Sequence, residues 1–263
     1  MRKGRYGIFI NDLKMAIFNL RFVVAVVLFV ILYLISSDWQ TVCGWKSECG
    51  IWEALEYVKM MGICTWFTVM VLVLPYGASV YEEIQSKSIL QVFYRAGRRR
   101  YYISKGFAVF LTGGLVAAIG LILYICILYF GLGMPLDVLY GNTGSDDFVT
   151  NALVQGNFML YYGENVFLHF LFGGTIAVFG MLISVYLPNR FLIVISPYIV
   201  VYVINILPIY IPYLLKLEYN WGGYIHCDSV LEGFVNAISY FGILTLVEML
   251  LFVRGVERRM SSI

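Results

Sequence analysis

The sequence predicts an all-α polytopic membrane protein with six transmembrane helices, both termini cytoplasmic and an N-terminal amphipathic interfacial helix. The first indication is composition: 61% of the 263 residues are hydrophobic and only 13% are charged, whereas a soluble domain carries about 25% charge. The second is that the apolar runs are continuous and helix-length, unlike the alternating segments of a membrane barrel. The third is that the basic residues concentrate on one side of these runs.

Six apolar runs are long enough, or nearly long enough, to span a bilayer, and together they form a single transmembrane domain over residues 1–263. Backbone groups in lipid must bond internally, so each run is predicted to be helical. The predicted spans are residues 22–36, 60–80, 106–130, 166–187, 191–207 and 234–253.

Charge sets the predicted orientation. Fifteen of the 18 Lys and Arg residues lie before the first span, between spans two and three, between spans four and five, or after the last span. Eleven of the 16 acidic residues lie in the alternate segments 37–59, 131–165 and 208–233. Lys and Arg concentrate on the cytoplasmic side of membrane proteins. Both termini are therefore predicted to be cytoplasmic.

The segment before the first span has helical amphipathic spacing. Apolar side chains recur at intervals of three and four, at Ile10, Leu13, Ile17 and Leu20, with polar residues between them. We expect this helix to lie along the inner membrane surface. The alternative is that it simply extends the first span into the cytoplasm.

The most charged stretch is YEEIQSKSILQVFYRAGRRRYYISKG, residues 81–106, which carries eight of the 34 charged residues. The spacing of Ile89, Val92, Phe93 and Ala96 places them on one face of a short helix over about residues 82–96, and Gly97 can end that helix. An exposed apolar face indicates a docking surface. The alternative is an ordinary basic loop that serves only to orient the protein.

The run SVYEEIQSKSILQVFYRAGRRRYYISKGFAVF resembles the corresponding loop of type 2 ABC exporter permeases, the membrane subunits of ATP-binding-cassette exporters. There, an acidic pair at the end of span two is followed by a cytoplasmic coupling helix and a basic, tyrosine-containing stretch. The six-span count, the amphipathic N-terminal helix and the turn SVYLPNRFL also resemble that family. The resemblance implies that a set of side chains in this loop contacts an ATPase subunit. They are Glu82, Glu83, Ser86, Ile89, Phe93, Tyr94 and Arg95.

By this resemblance the chain is a permease subunit that works as a homo- or heterodimer and moves an amphipathic cargo: a lipid, a peptide or a drug. The sequence contains no G-x-x-x-x-G-K-[ST] motif. ATP and magnesium are therefore expected in a separate ATPase subunit. This chain itself is expected not to be an enzyme and to have no catalytic, cofactor-binding or metal-binding residues. It is expected to be a multi-pass protein of a bacterial plasma membrane, with no nucleic-acid partner. The alternative is a non-transporting immunity or sensor component that binds a peptide at its outer face.

Several single residues carry narrower predictions. Glu248, inside the last span, is expected to form a buried ion pair with a cationic residue. His169, in FLHFLF, is expected to be a satisfied interfacial or packing histidine rather than a ligand. Cys43 and Cys49 could form a disulfide on the outer side, Cys227 could cross-link to that loop, or these cysteines could remain free thiols. The outer segment 131–165 is either a solvated loop or a contact for an exported cargo or a partner.

Overall fold

The computed structural model describes residues 7–37, 50–61, 65–136, 152, 156–206 and 229–261, and every regular element in these ranges is helical. A 3-10 turn at Thr65–Phe67 precedes the fourth helix, and a π-helical turn at Ile127–Gly131 continues the seventh. The helices are α1 Gly7–Ile17, α2 Leu20–Ser36, α3 Ile51–Met61, α4 Thr68–Val73, α5 Ser79–Gln85, α6 Ser88–Ala96, α7 Arg98–Cys126, α8 Phe158–Ser184, α9 Arg190–Ile206 and α10 Val230–Ser261.

Within the ranges that the structure describes, three helical segments are long and apolar enough to cross a membrane: Arg98–Gly131, Phe158–Ser184 and Val230–Met260. Two further apolar helices, Leu20–Ser36 and Arg190–Ile204, are shorter. The predicted all-helical class is therefore confirmed, and three helices are compatible with a membrane protein. The count of six spans and the side on which the termini lie stay predictions.

Helices α7 and α8 form the centre of the bundle, and they approach each other through glycine. A Cβ atom added to Gly113 would lie 2.5 Å from the carbonyl oxygen of Gly173, and one added to Gly173 would lie 2.6 Å from that of Gly113. Small residues at four-residue spacing permit such backbone contact between apolar helices. Helix α2 packs on α7, and α9 and α10 pack on α8.

The predicted second span, residues 60–80, is not one continuous helix. After α4 the chain turns over residues 74–78 before α5 begins. Pro75 lies in this turn and has no N–H group to donate to a helix. Gly77 follows, packed so tightly that a Cβ atom there would come within 2.5 Å of the Val73 side chain. Hydropathy correctly indicated that residues 60–80 are apolar, but it did not predict the break between α4 and α5.

The predicted helix over residues 82–96 is two helices, α5 and α6. Lys87 separates them with a left-handed backbone (φ 57°), a conformation that non-glycine residues rarely adopt. Gly97, with φ 81°, ends α6 as predicted. Helix α7 begins at the next residue, so the three arginines form its first turn.

Helix α1 forms as predicted, and its orientation is informative. Its buried side chains include Asp12 and Ala16, and the helix packs against α7. The apolar Ile10 is 47% exposed, and Leu20, the last residue of the predicted stripe, begins α2 and is 76% exposed. Helix α1 therefore turns a carboxylate toward the protein and Ile10 outward. Its position on a membrane surface stays a prediction.

The ends of several helices meet at what we call the basic end of the bundle, defined by the contacts of Arg21, Arg190 and Arg259. Arg21 and Arg190 both approach Glu82, and Arg259 donates to the carbonyl of Val185 at the end of α8. Helices α2, α7 and α9 begin at this end, and α8 and α10 terminate there.

The glycine contact predicts a strong asymmetry between two helix glycines. Gly113→Ala forces α7 away from α8, so we expect it to lower the free energy of unfolding by about 1–3 kcal/mol. Gly163→Ala, on α8, is the matched control because a Cβ there meets no atom within 4 Å. Denaturation in mixed detergent micelles measures both changes. Equal stability of the two variants would contradict this account of the contact.

Candidate functional site

A cluster of charged and hydroxyl side chains joins α1, the 74–78 turn, α5 and the start of α7. We call it the ionic cluster. Lys105 is completely buried and Asp12 is 8% exposed, while the Glu83 side chain is 22% exposed. Such groups are buried only when they are paired and hydrogen-bonded. The cluster consists of Asp12, Tyr76, Glu83, Tyr101, Ser104 and Lys105.

Lys105 is the centre of this cluster. Its ammonium group forms an ion pair with the Glu83 carboxylate and donates a hydrogen bond of 2.9 Å to the Tyr76 hydroxyl. The ammonium nitrogen also lies 4.1 Å from the centroid of the Tyr76 ring, within the range of a cation–π contact. The positive charge is thus compensated on more than one side.

Each carboxylate of the cluster accepts further hydrogen bonds. Tyr101 donates to Glu83 Oε2 at 2.5 Å. Asp12 accepts from Ser104 at 3.0 Å and from Tyr76 at 3.3 Å. The Tyr76 hydroxyl therefore accepts a hydrogen bond from the ammonium of Lys105 and donates one to the carboxylate of Asp12. The cluster holds two carboxylates against one ammonium group, so it has an excess of negative charge when both acids are ionised.

One carboxylate of the cluster, that of Asp12, lies outside the predicted spans and has a shifted pKa. Burial raises the pKa of Asp12, while the charge of Lys105 and the hydrogen bond from Ser104 act in the opposite direction. Ionisation of Asp12 therefore costs folding stability.

The two neighbouring acids of α5, Glu82 and Glu83, pair with cations in different parts of the bundle. Glu83 points into the ionic cluster, whereas Glu82 lies 2.9 Å from Arg21 at the start of α2 and 3.1 Å from Arg190 at the start of α9. Tyr81 donates at 2.8 Å to the carbonyl of Pro188, in the turn between α8 and α9. The Glu82 ion pairs are half-exposed and contribute little stability. Together with the Tyr81 hydrogen bond, these ion pairs nevertheless hold α5 against α2, α9 and the turn between α8 and α9.

Helix α6 packs its apolar face inward, so the predicted exposed face is wrong. Ile89 is only 2% exposed. The Phe93 ring makes edge contacts with Tyr101 and Tyr102, at centroid distances of 5.2 and 5.8 Å. The face was correctly identified as apolar, but its partner is the start of α7. Tyr94, at 91% exposure, is the large side chain that α6 presents to its surroundings.

The side chains predicted to contact an ATPase subunit thus divide into two groups. Glu82, Glu83, Ile89 and Phe93 have partners within the bundle. Ser86 and Tyr94 are exposed, and Ser86 donates to the backbone of α5. Arg95 lies in the last turn of α6. Contact between this group and a second protein stays a prediction.

The other predicted sites have separate outcomes. Glu248 has a buried Oε2 atom with no hydrogen-bond partner, and its predicted ion pair stays a prediction. Cys43, Cys49 and Cys227 lie outside the described residues.

His169 is fully buried and has two hydrogen-bond partners. Its Nε2 atom lies 2.7 Å from the Tyr33 hydroxyl, and its Nδ1 atom lies 2.7 Å from the Asn165 carbonyl oxygen. The prediction of a packing histidine with satisfied hydrogen bonds is confirmed.

A second polar network lies at the opposite end of the bundle. Lys59 is buried, pairs with Glu56 at 2.5 Å and donates to Asn165 at 3.1 Å. Tyr161 donates to the same Glu56 at 2.7 Å. This network ties α3 to α8, as the ionic cluster ties α5 to α7. Nearby on α8, Glu164 is buried and both its carboxylate oxygens lack hydrogen-bond partners.

No protein-family model, curated protein or solved structure matches this chain.

Among the members of the ionic cluster, sequence reasoning identified only Glu83 as a site residue and missed the others: Asp12, Tyr76, Tyr101, Ser104 and Lys105. Asp12 carried a signal, because it is the only acid of an otherwise basic N-terminal segment. Lys105 lies directly before the predicted third span, and its burial could have been inferred from the apolar run that begins immediately after it. Tyr76 carried no distinguishing signal in a chain with 21 tyrosines.

The buried pair predicts a large effect of removing one partner. Lys105→Met leaves Glu83 and Asp12 facing each other without a cation, so we expect the free energy of unfolding to fall by about 3–5 kcal/mol. The matched control is Arg21→Met, which removes the cation of an exposed pair and should cost less than about 1 kcal/mol. The double variant Glu83→Gln with Lys105→Met should lose less than the sum of its single changes. Additive losses would show that the two groups do not interact.

The raised pKa of Asp12 predicts a pH-dependent effect of neutralising it. The folded state holds the Asp12 proton more firmly than the unfolded chain, so ionised Asp12 costs stability when the pH exceeds its folded pKa. Asp12→Asn should therefore be at least as stable as the wild type at pH 7. The difference should close as the pH falls through the folded pKa toward about 4. Unfolding titrations across this range measure it. A wild-type advantage that grows with pH would contradict the assignment.

Proposed function

We propose that this chain is the membrane-spanning permease subunit of an ATP-driven exporter of the ABC class. Its partners would be a separate ATPase subunit and a second permease subunit, and its cargo an amphipathic molecule. The sequence resemblance in residues 79–110 motivates the proposal. The observation that carries it is the position of α6. This short helix packs against the bundle on one side, and Tyr94 on its other side is almost fully exposed.

The mounting of α5 and α6 suits the transmission of force. Glu83 and Lys105 connect α5 to α7 through a buried ion pair, and Phe93 connects α6 to the same helix through aromatic contacts. Displacement of α6 by an attached ATPase would therefore act on the first turns of α7. Because Gly113 and Gly173 bring α7 and α8 into backbone contact, the movement would reach both central helices together.

Cytoplasmic exposure of α6 belongs to the same proposal. Arg98, Arg99 and Arg100 begin α7 and are exposed, which suits the cytoplasmic boundary of a membrane. An ATPase subunit that binds there would meet Tyr94, Ser86 and the backbone end of α6. ATP and magnesium would be bound by that subunit.

The proposal predicts that Tyr94 is central to ATPase binding. A chain with a P-loop should co-purify with the wild-type protein in roughly equal amount. Tyr94→Glu should weaken its retention at least tenfold, because truncating or charging a central aromatic contact costs about 2 kcal/mol or more. Tyr94 is a better target than Phe93, whose change would also disturb the packing on α7.

Tyr186→Ala is the matched control for this experiment. Tyr186 is also an exposed tyrosine at the basic end, at 58% exposure, but it lies in the turn between α8 and α9. It should leave ATPase retention unchanged. If no ATP-binding chain co-purifies with the wild type, or if Tyr94→Glu retains it fully, the proposal fails.

A further inference from the structure

A groove runs between α7 and α10 on the outside of the bundle. Its volume is about 550 Å³ and its lining is almost entirely apolar. On α7 it extends from Tyr102 to Phe110, and on α10 from Ile238 to Val253. This volume falls in the range of sites that hold small molecules.

The groove opens sideways between two helices that are each long enough to cross a membrane. Its rim is exposed: Phe107 is 60% exposed and Leu246 and Leu250 are each 65% exposed. Gly242 leaves part of the groove open because it has no side chain, and a Cβ atom added there would meet nothing within 4 Å. In a bilayer such a groove faces hydrocarbon, so its contents are the apolar parts of membrane components.

The dimensions of the groove fit a single hydrocarbon chain. The α10 residues that line it, 238 to 253, rise by about 22 Å, which exceeds the roughly 15 Å of one leaflet's hydrocarbon. The groove is thus long enough to hold one acyl chain along its whole length.

Positive charge lies at one end of the groove. Arg99 is three residues before Tyr102, four before Ile103 and seven before Gly106, so it shares their face of α7 one turn nearer the basic end. Arg99 is exposed, and a long arginine side chain at this level extends toward head groups. Arg98 and Arg100 flank it on the exposed first turn of α7. Glu257 of α10 and Arg98 both act electrostatically on Tyr102 at this end of the groove, so one carboxylate stands against the exposed arginines of the first turn of α7.

We propose that the groove between α7 and α10 binds one anionic phospholipid, with an acyl chain along Gly106 and Gly242 and the phosphate beside Arg99. The apolar lining excludes water from the chain, and the arginines select a negatively charged head group over a zwitterionic one. The site does not depend on the proposed export function, because it requires only the two helices and a membrane.

Native mass spectrometry of the full chain in detergent tests the proposal, with dioleoylphosphatidylglycerol and dioleoylphosphatidylcholine added separately. Wild-type protein should retain phosphatidylglycerol several-fold more strongly. Gly242→Leu places a bulky side chain in the groove, and its Cβ atom meets no neighbouring atom within 4 Å, so it should abolish the strongest lipid adduct. Gly163→Leu adds the same bulk at an open, exposed position on α8 and should leave binding unchanged.

A second pair of variants tests the head-group contact. Arg99→Gln should weaken phosphatidylglycerol binding about fivefold and bring it near that of phosphatidylcholine. Arg190→Gln removes an exposed cation at the same end of the bundle, but on α9, which contributes no residue to the groove, and should have no effect. Inorganic phosphate alone should not compete, because the acyl chain supplies most of the binding.

Three results would overturn the proposal. One is equal retention of the two lipids by the wild type, and another is unchanged lipid binding in Gly242→Leu. The third is a loss of dimer in Gly242→Leu with lipid adducts intact, which would make the groove a contact between copies. If Gly242→Leu does not fold, the comparison of Arg99→Gln with Arg190→Gln decides between binding and no binding at this site.

Discussion

The ion pair between Lys105 and Glu83 is the interaction on which the rest of the basic end depends. Lys105 is completely buried at the start of the longest apolar run, and an unpaired ammonium group in that position would not be tolerated. Its neutralisation requires α5 to lie against α7, and the hydroxyl of Tyr76 then draws in Asp12 and α1. The fold of this end is therefore organised by a charge that must be compensated.

That requirement explains the interruptions in the chain. Pro75 and Gly77 turn the polypeptide after α4, which lets α5 leave the bundle axis and carry Glu83 toward α7. The left-handed Lys87 then redirects α6 so that Ile89 and Phe93 cover the same part of α7. Each break costs some backbone hydrogen bonding or conformational strain. The contacts made by Glu83 and Phe93 compensate for it.

Much of the helical content could be predicted from hydropathy and charge, because long apolar runs in lipid have few alternatives to a helix. The end of α6 at Gly97 followed from glycine's tolerance of positive φ. The breaks at residues 74–78 and at Lys87 did not follow, since apolar windows average over a single proline and since Lys has no preference for a left-handed backbone. The inward face of α6 was also missed: periodicity shows that a face is apolar, but it does not show which surface covers that face.

The position of the ionic cluster along the chain has a consequence for biosynthesis. All its members lie within the first 105 residues, from Asp12 to Lys105, whereas the network at the opposite end joins Glu56 and Lys59 to residues of α8. A nascent chain emerges from its N-terminus, and its early segments can assemble while later ones are still being made. The basic end can thus neutralise its buried lysine before α8, α9 and α10 exist. At the opposite end, Lys59 can pair early with Glu56 of its own helix, but its hydrogen bond to Asn165 and the tie between α3 and α8 must wait for the second half of the protein to be synthesised.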